Sequence, residues 1–203
     1  MFCLENELKQ SWIKDNTMQF YDSLLTILAH TSPGSGAIDG FLHPIKGFDH
    51  LLAMLTVGLL SAQMGGRAIW SVPVTFVSVM ALGGLLGLLG MPLPLVEYGI
   101  AASVIVLGIA LVSKANLPEW AAMVAVGIFA VFHGHAHGAE LPEVSSAIIA
   151  IAYVVGFLVA TAGLHVIGAL IGYMLLRNKQ SALVLRAAGV LIALAGVYIV
   201  LGI

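Results

Sequence analysis

The chain has 203 residues, of which 60% are hydrophobic and only 9% charged, against about 25% charged in an ordinary soluble domain. Mean hydropathy is +1.05; so few charges cannot cover a water-soluble sphere of this size, and a disordered chain would be poor in apolar residues. A net charge of −2 gives no basic footprint for nucleic acid, and the single cysteine, Cys3, permits neither an internal disulfide nor a cysteine-based metal cluster.

Residues 1–42 read as a polar tail with room for one short helix. They hold Glu5, Glu7, Lys9, Lys14, Asp15, Asp22 and Asp39, followed by a Ser/Pro/Gly stretch at 32–36. The apolar part of this tail, 24–29, is too short for a good signal peptide. Residues 43–203 read as a transmembrane helical domain. A spanning helix needs about 20 mostly apolar residues, and charge-poor runs predict six, at about 45–63, 68–90, 95–113, 118–137, 146–174 and 182–202. Breakers separate them, among them Gly65-Gly66, Pro92 and Pro94, Pro118, Gly138 and Pro142. The alternation of membrane β-strands is absent. The expected fold is therefore an all-α membrane protein, a bundle of about six transmembrane helices.

The fifth run, 144–176, has 33 residues without Asp, Glu, Lys or Arg. A single helix of that length would reach about 50 Å, yet two spans and a turn would not fit. A long, tilted helix, or one broken near Gly156, Gly163 or His165, is expected. The pairs Gly83/Gly87 and Gly168/Gly172 have the small-xxx-small spacing of close helix contacts.

Orientation follows from Lys and Arg in short loops. Arg67, Lys114, Arg177 and Lys179 follow the first, third and fifth spans, with Arg186 just beyond; the second and fourth loops and the C-terminus have none. The odd loops are expected in the cytoplasm and both termini outside, although Lys9, Lys14 and Lys46 argue the other way.

Five of the seven histidines fall in two eight-residue windows, His43-Pro-Ile-Lys-Gly-Phe-Asp49-His50 and His133-Gly-His135-Ala-His137-Gly-Ala-Glu140. Each joins imidazoles to a carboxylate at a span end, and with the orientation above both ends share the outer face. Neutral imidazole binds nickel, cobalt, zinc and copper, and carboxylate compensates charge. His133 and His137 stack on one helical face, while His135 points away unless Gly134 and Gly138 unwind that end. Glu97 near the start of the third span and His165 in the charge-free fifth run are the remaining ionisable candidates. As bland readings, Glu97 is interfacial, His30 and His165 pack or hydrogen-bond, and the dispersed methionines fill the core.

The two windows resemble the HupE/UreJ family, membrane proteins that accompany hydrogenase and urease genes and are regarded as nickel or cobalt permeases. The family pattern His-Pro-x-x-Gly-x-Asp-His is met by His43, Pro44, Gly47, Asp49 and His50, and the second signature by Phe132 to Glu140. The stretch around Glu97 is similar to the family's third span, and the likeness covers roughly 40–203. A looser likeness links the first window to the HX4DH signature of another nickel/cobalt transporter family, with one extra residue between His43 and Asp49. Family members commonly carry a cleavable signal peptide, from which residues 1–31 depart.

The resemblance implies a multi-pass protein of the bacterial plasma (inner) membrane. Its substrate would be a divalent metal ion, Ni2+ or Co2+ with Zn2+ as a further option, captured at the outer face and passed inward. Asp49, His50, His133, His135 and His137 are the expected ligands, His43 and Glu140 their partners, Glu97 a charge-compensating or proton-relaying group, and His165 a lower station. There is no Walker A sequence, so ATP hydrolysis by the chain is excluded. No prosthetic group and no enzymatic activity are expected. The expected partners are the ion and the lipid bilayer, with a homo-oligomer left open and no nucleic acid. The rival readings are a membrane-embedded zinc metalloenzyme and a metal-binding sensor without transport.

Overall fold

In hydrocarbon every backbone N–H and C=O must find its partner inside the protein, which helices achieve alone. The computed structural model describes residues 35–113, 117–139, 147–177 and 179–202, and among them there are helices and no strand. In chain order these are α1 Ser35–Lys46, α2 Phe48–Met64, α3 Ala68–Leu88, α4 Val96–Ser113, α5 Glu119–Ala139, α6 Ala147–Leu175 and α7 Lys179–Gly202. Five are long and apolar enough to cross a membrane: α3 to α6 and the 183–202 part of α7. A sixth crossing exists if α1 and α2 count as one span bent by 82°. The protein is an all-α, multi-pass membrane bundle.

The first expected span differs in its bounds, and the fifth takes the long form of its two alternatives. The first helix does not start near 45 but runs back to Ser35, inside the stretch read as polar tail, and the chain turns at Gly47. Pro44 lies inside α1, and Gly47 adopts an extended φ of −78° and ψ of 112°, which interrupts the helix. The fifth span is one unbroken helix of 29 residues through Gly156, Gly163 and His165, about 44 Å long at 1.5 Å per residue. The rest of the tail, residues 1–34, lies outside the described residues.

Glycines set the helix crossings. A Cβ on Gly134 would strike the Met80 carbonyl and the Gly84 backbone, and one on Gly87 the His135 carbonyl, so α3 and α5 meet backbone to backbone. Gly58, Gly168 and Gly172 do the same for α2 and α6, and Gly108, Gly189 and Gly196 for α4 and α7. Both Gly-xxx-Gly pairs singled out from spacing lie at such contacts. The register of these contacts fixes direction. Residues 80, 84 and 87 of α3 meet 134, 138 and 139 of α5 in rising order, so the two helices are parallel. Gly58 meets His165 and Gly168, and Leu59 meets Gly172, so α2 and α6 are parallel. Gly108 meets Ala193 and Gly189 while Val104 meets Gly196, so α4 and α7 are antiparallel. That pattern is what strict alternation across a bilayer requires. It brings the start of α2, the start of α4 and the end of α5 to one end of the bundle. Buried hydroxyls bond to their own helix, as Thr56 does to the Leu52 carbonyl at 2.6 Å and Thr161 to that of Phe157 at 3.0 Å.

The crossings predict an asymmetric glycine scan. Gly134→Ala should destabilise the protein by about 1–3 kcal/mol through overpacking, read as a lower melting temperature in detergent. Gly163→Ala, where a Cβ meets nothing within 4 Å, should melt like the wild type.

Candidate metal centre

The start of α2 carries Asp49 and His50, the end of α5 carries His133 and His137, and α1 brings His43 over them. The rings form a chain. His43 and His137 lie 4.7 Å apart between centroids, His137 and His50 4.2 Å, and His50 and His133 4.6 Å. Phe157 packs tilted against His137 at 4.2 Å and closes the cluster from α6. His50, His133 and His137 are buried. Beside them is a cavity of about 350 Å³ lined by His43, Lys46, Asp49, His50, Glu97 and His137. Two carboxylates against one ammonium give its lining a formal balance of −1, which favours a cation. Glu97, read from sequence as interfacial or as a pathway residue, thus shares the cavity with both histidine windows.

The hydrogen bonds fix how two rings are presented. Ser103 Oγ donates to the Ile100 carbonyl at 2.6 Å, so its contact with His133 Nε2 at 2.9 Å must be accepted from an Nε2–H. Neutral His133 therefore keeps its lone pair on Nδ1, which is buried and has no partner. Asp49 Oδ1 accepts the His50 backbone N–H at 2.8 Å and His50 Nδ1–H at 3.2 Å. This leaves the His50 lone pair on Nε2, likewise buried without a partner. A carboxylate or hydroxyl that holds one ring nitrogen and aims the other is how histidine ligands are oriented. Both ring nitrogens of His137 are unpartnered.

The remaining candidates lie elsewhere. α5 stays helical through Ala139, so the end does not unwind. His135 is turned out of the cluster and its Nε2–H donates to the Met91 carbonyl at 2.7 Å. His165 is buried deeper, against Phe76 at 5.2 Å. Glu140 lies outside the described residues. Among the described residues, no group of three or more His, Cys, Asp or Glu side chains stands ready to hold a metal ion. The imidazoles pack against one another, and an ion entering them has to part the rings. Ser103, Tyr153 and Phe157 escaped the sequence reading, because a lone serine or aromatic inside an apolar span carries no spacing signal.

The tautomers are open to measurement. Nitrogen-15 spectra of histidine-labelled protein in bilayers should show His133 in the Nε2–H form and His50 in the Nδ1–H form. Asp49→Ala should remove the preference at His50 and leave His133 unchanged.

The chain matches the family model described as HupE / UreJ protein over residues 20–199. It is 46% identical over 182 residues to Protein HupE of Rhizobium leguminosarum bv. viciae, covering 88% of this chain and 93% of that one. No solved structure matches it. With the paired histidine windows at one end of an all-helical bundle and a match along nearly its whole length, the chain belongs to the HupE/UreJ family.

Proposed function

We propose that this chain is a permease for a divalent transition metal, nickel or cobalt, in the inner membrane. The observation that carries the reading is the chain of four imidazoles, His43, His137, His50 and His133, beside a cavity that also holds Asp49 and Glu97. Imidazole suits these ions, and carboxylates at the entrance attract them and offset their charge. A loose group of ligands suits cargo, because a carrier must let its ion go. The histidine end faces outside in this reading. Arg67 and Arg177 follow α2 and α6 at the opposite end, where cytoplasmic positive charge belongs. Asp49 and Ser103 act as positioning groups for His50 and His133. Both termini would then lie outside.

Nickel and cobalt uptake by metal-starved cells tests this. His50→Ala and His137→Ala should abolish uptake at matched membrane levels, while His135→Ala, turned toward the Met91 carbonyl, should keep most of it. Ser103→Ala and Asp49→Ala should weaken metal affinity about 10–100-fold, as loss of a ligand's orienting partner does. Binding without uptake in the wild type would overturn the permease reading in favour of a sensor. Zinc-dependent turnover of a lipid or peptide by purified protein would overturn it in favour of an enzyme.

Acid supplies a second check. Ligating imidazoles must be neutral, so protons compete with metal. Nickel affinity of the purified protein should fall once the pH is low enough to protonate the ligating imidazoles, and an affinity that holds down to acid unfolding would argue against imidazole ligands.

A further inference from the structure

Glycine joins α3 to α5 and α2 to α6 backbone to backbone, but among the described residues no glycine crossing joins α3 to α6. Between these two helices lies a groove of about 380 Å³. Pro73 and Val77 wall it from α3, and Ala169 and Leu170 from α6. Trp70 and Tyr173 stand at one end of it, and Ser78 and His165 at the other. With one imidazole among apolar walls, the groove does not fit a cation. Its rim is turned away from the protein, since Trp70, Val74, Leu170 and Tyr173 all line it and are all exposed. In a membrane, that rim opens on lipid.

The length of the groove is that of one leaflet. Its lining runs from Ile69 to Ser78 on α3 and from Ala162 to Tyr173 on α6, which is about 14 Å and 16 Å at 1.5 Å per residue. Half of a hydrocarbon core about 30 Å thick is about 15 Å. The aromatic end is the end opposite the histidine cluster, where α3 begins and α6 finishes. Indole and phenol rings, apolar with one polar edge, belong where lipid chains give way to headgroups. Positive charge follows at that level. The Arg67 carbonyl accepts the Trp70 backbone N–H at 3.0 Å, so Arg67 is one turn before the indole, and Arg177 is one turn beyond Tyr173. Both arginines are exposed, and among the described residues neither is ion-paired. Arg67 also borders a separate cavity, which it shares with Glu119.

We infer that the groove is a binding site for one anionic phospholipid. An acyl chain lies between α3 and α6, and the headgroup phosphate sits between Arg67 and Arg177. Guanidinium offers phosphate paired N–H donors, and basic pockets between spans suit anionic headgroups. The chain fills space that the protein's own side chains leave open, and it ties the two glycine-joined helix pairs together. This site needs neither the histidine cluster nor a metal, so it stands or falls apart from the permease reading.

Tryptophan quenching by lipids with brominated chains tests it, with the full chain in phosphatidylcholine vesicles containing a rising share of phosphatidylglycerol. Trp12→Phe with Trp120→Phe leaves Trp70 as the reporter. Trp12→Phe with Trp70→Phe leaves Trp120, equally exposed but outside the groove, as the control. Brominated phosphatidylglycerol should outcompete brominated phosphatidylcholine at Trp70 by about 5–25-fold, about fivefold for each arginine, and the preference should shrink in high salt. Trp120 should follow the bulk composition. Arg67→Gln with Arg177→Gln should bring the preference at Trp70 to about one while brominated chains still quench it. Ala169→Phe, which puts a ring into the groove, should also abolish the preference, with the melting temperature as the check on folding. Equal quenching at Trp70 by the two lipids would overturn the site, and so would a preference of the same size at Trp120. A preference that survives the arginine variant would overturn the headgroup assignment. One that survives a folded Ala169→Phe would reduce the site to surface attraction and overturn the groove. The arginine variant changes only exposed positions, so it decides the matter even if Ala169→Phe fails to fold.

Discussion

Helices in a bilayer gain nothing by hiding apolar side chains from one another, because lipid is as apolar as they are. They are held by close contact, and in this bundle the closest contacts are made where glycine removes the side chain from a crossing. Between α3 and α5, Gly84, Gly87, Gly134 and Gly138 let the two backbones touch. That contact fixes the rotation of α5 about its own axis. With the rotation set, His133 and His137, one turn apart, face the interior beside α2, and His135 faces the loop carbonyl of Met91. The contact that supports the bundle thus also selects which imidazoles enter the cluster.

The bend at Gly47 makes the second half of the site. A straight continuation of α2 would carry His43 along the axis away from the cluster. Turned by 82°, α1 instead packs on the start of α6 through Gly36, Gly40 and Gly156, and His43 meets both His137 and Tyr153. α6 contributes from start to middle. Tyr153 and Phe157 shield the cluster, Thr161 satisfies itself on its own helix, and His165 follows one turn later. Its unbroken length lets one helix accompany the polar groups from the cavity at the histidine end into the interior.

Two kinds of polar side chain recur in this interior. Hydroxyls such as Thr56, Ser61 and Thr161 return their hydrogen bonds to the backbone and leave nothing to bind. Imidazoles at 50, 133, 137 and 165 keep at least one nitrogen without a partner. Ser103 joins the two, since donating to its own helix obliges it to accept from His133 and so orients that ring. A bundle made of apolar helices thereby carries unpartnered imidazole nitrogens in its interior, with Asp49 and Glu97 at the histidine end and Glu119 at the other.

By itself the sequence determined the all-helical membrane class, the bounds of five candidate spans to within a few residues, and the two windows from which His43, Asp49, His50, His133 and His137 come together. Hydropathy does this because lipid dictates helix length, and repeated imidazoles beside carboxylates are too rare in apolar spans to pass unnoticed. The bend that extends the first crossing back to Ser35 was only half visible, in Pro44 and Gly47, because neither residue states an angle. Tertiary structure alone decided that Glu97 shares the cavity, that His135 is turned away, that Ser103 orients His133, and that Phe76 touches both His133 and His165. Each of these depends on the rotation of one helix against another. That rotation is set by contacts between residues tens of positions apart, which a pattern of neighbours along the chain does not contain.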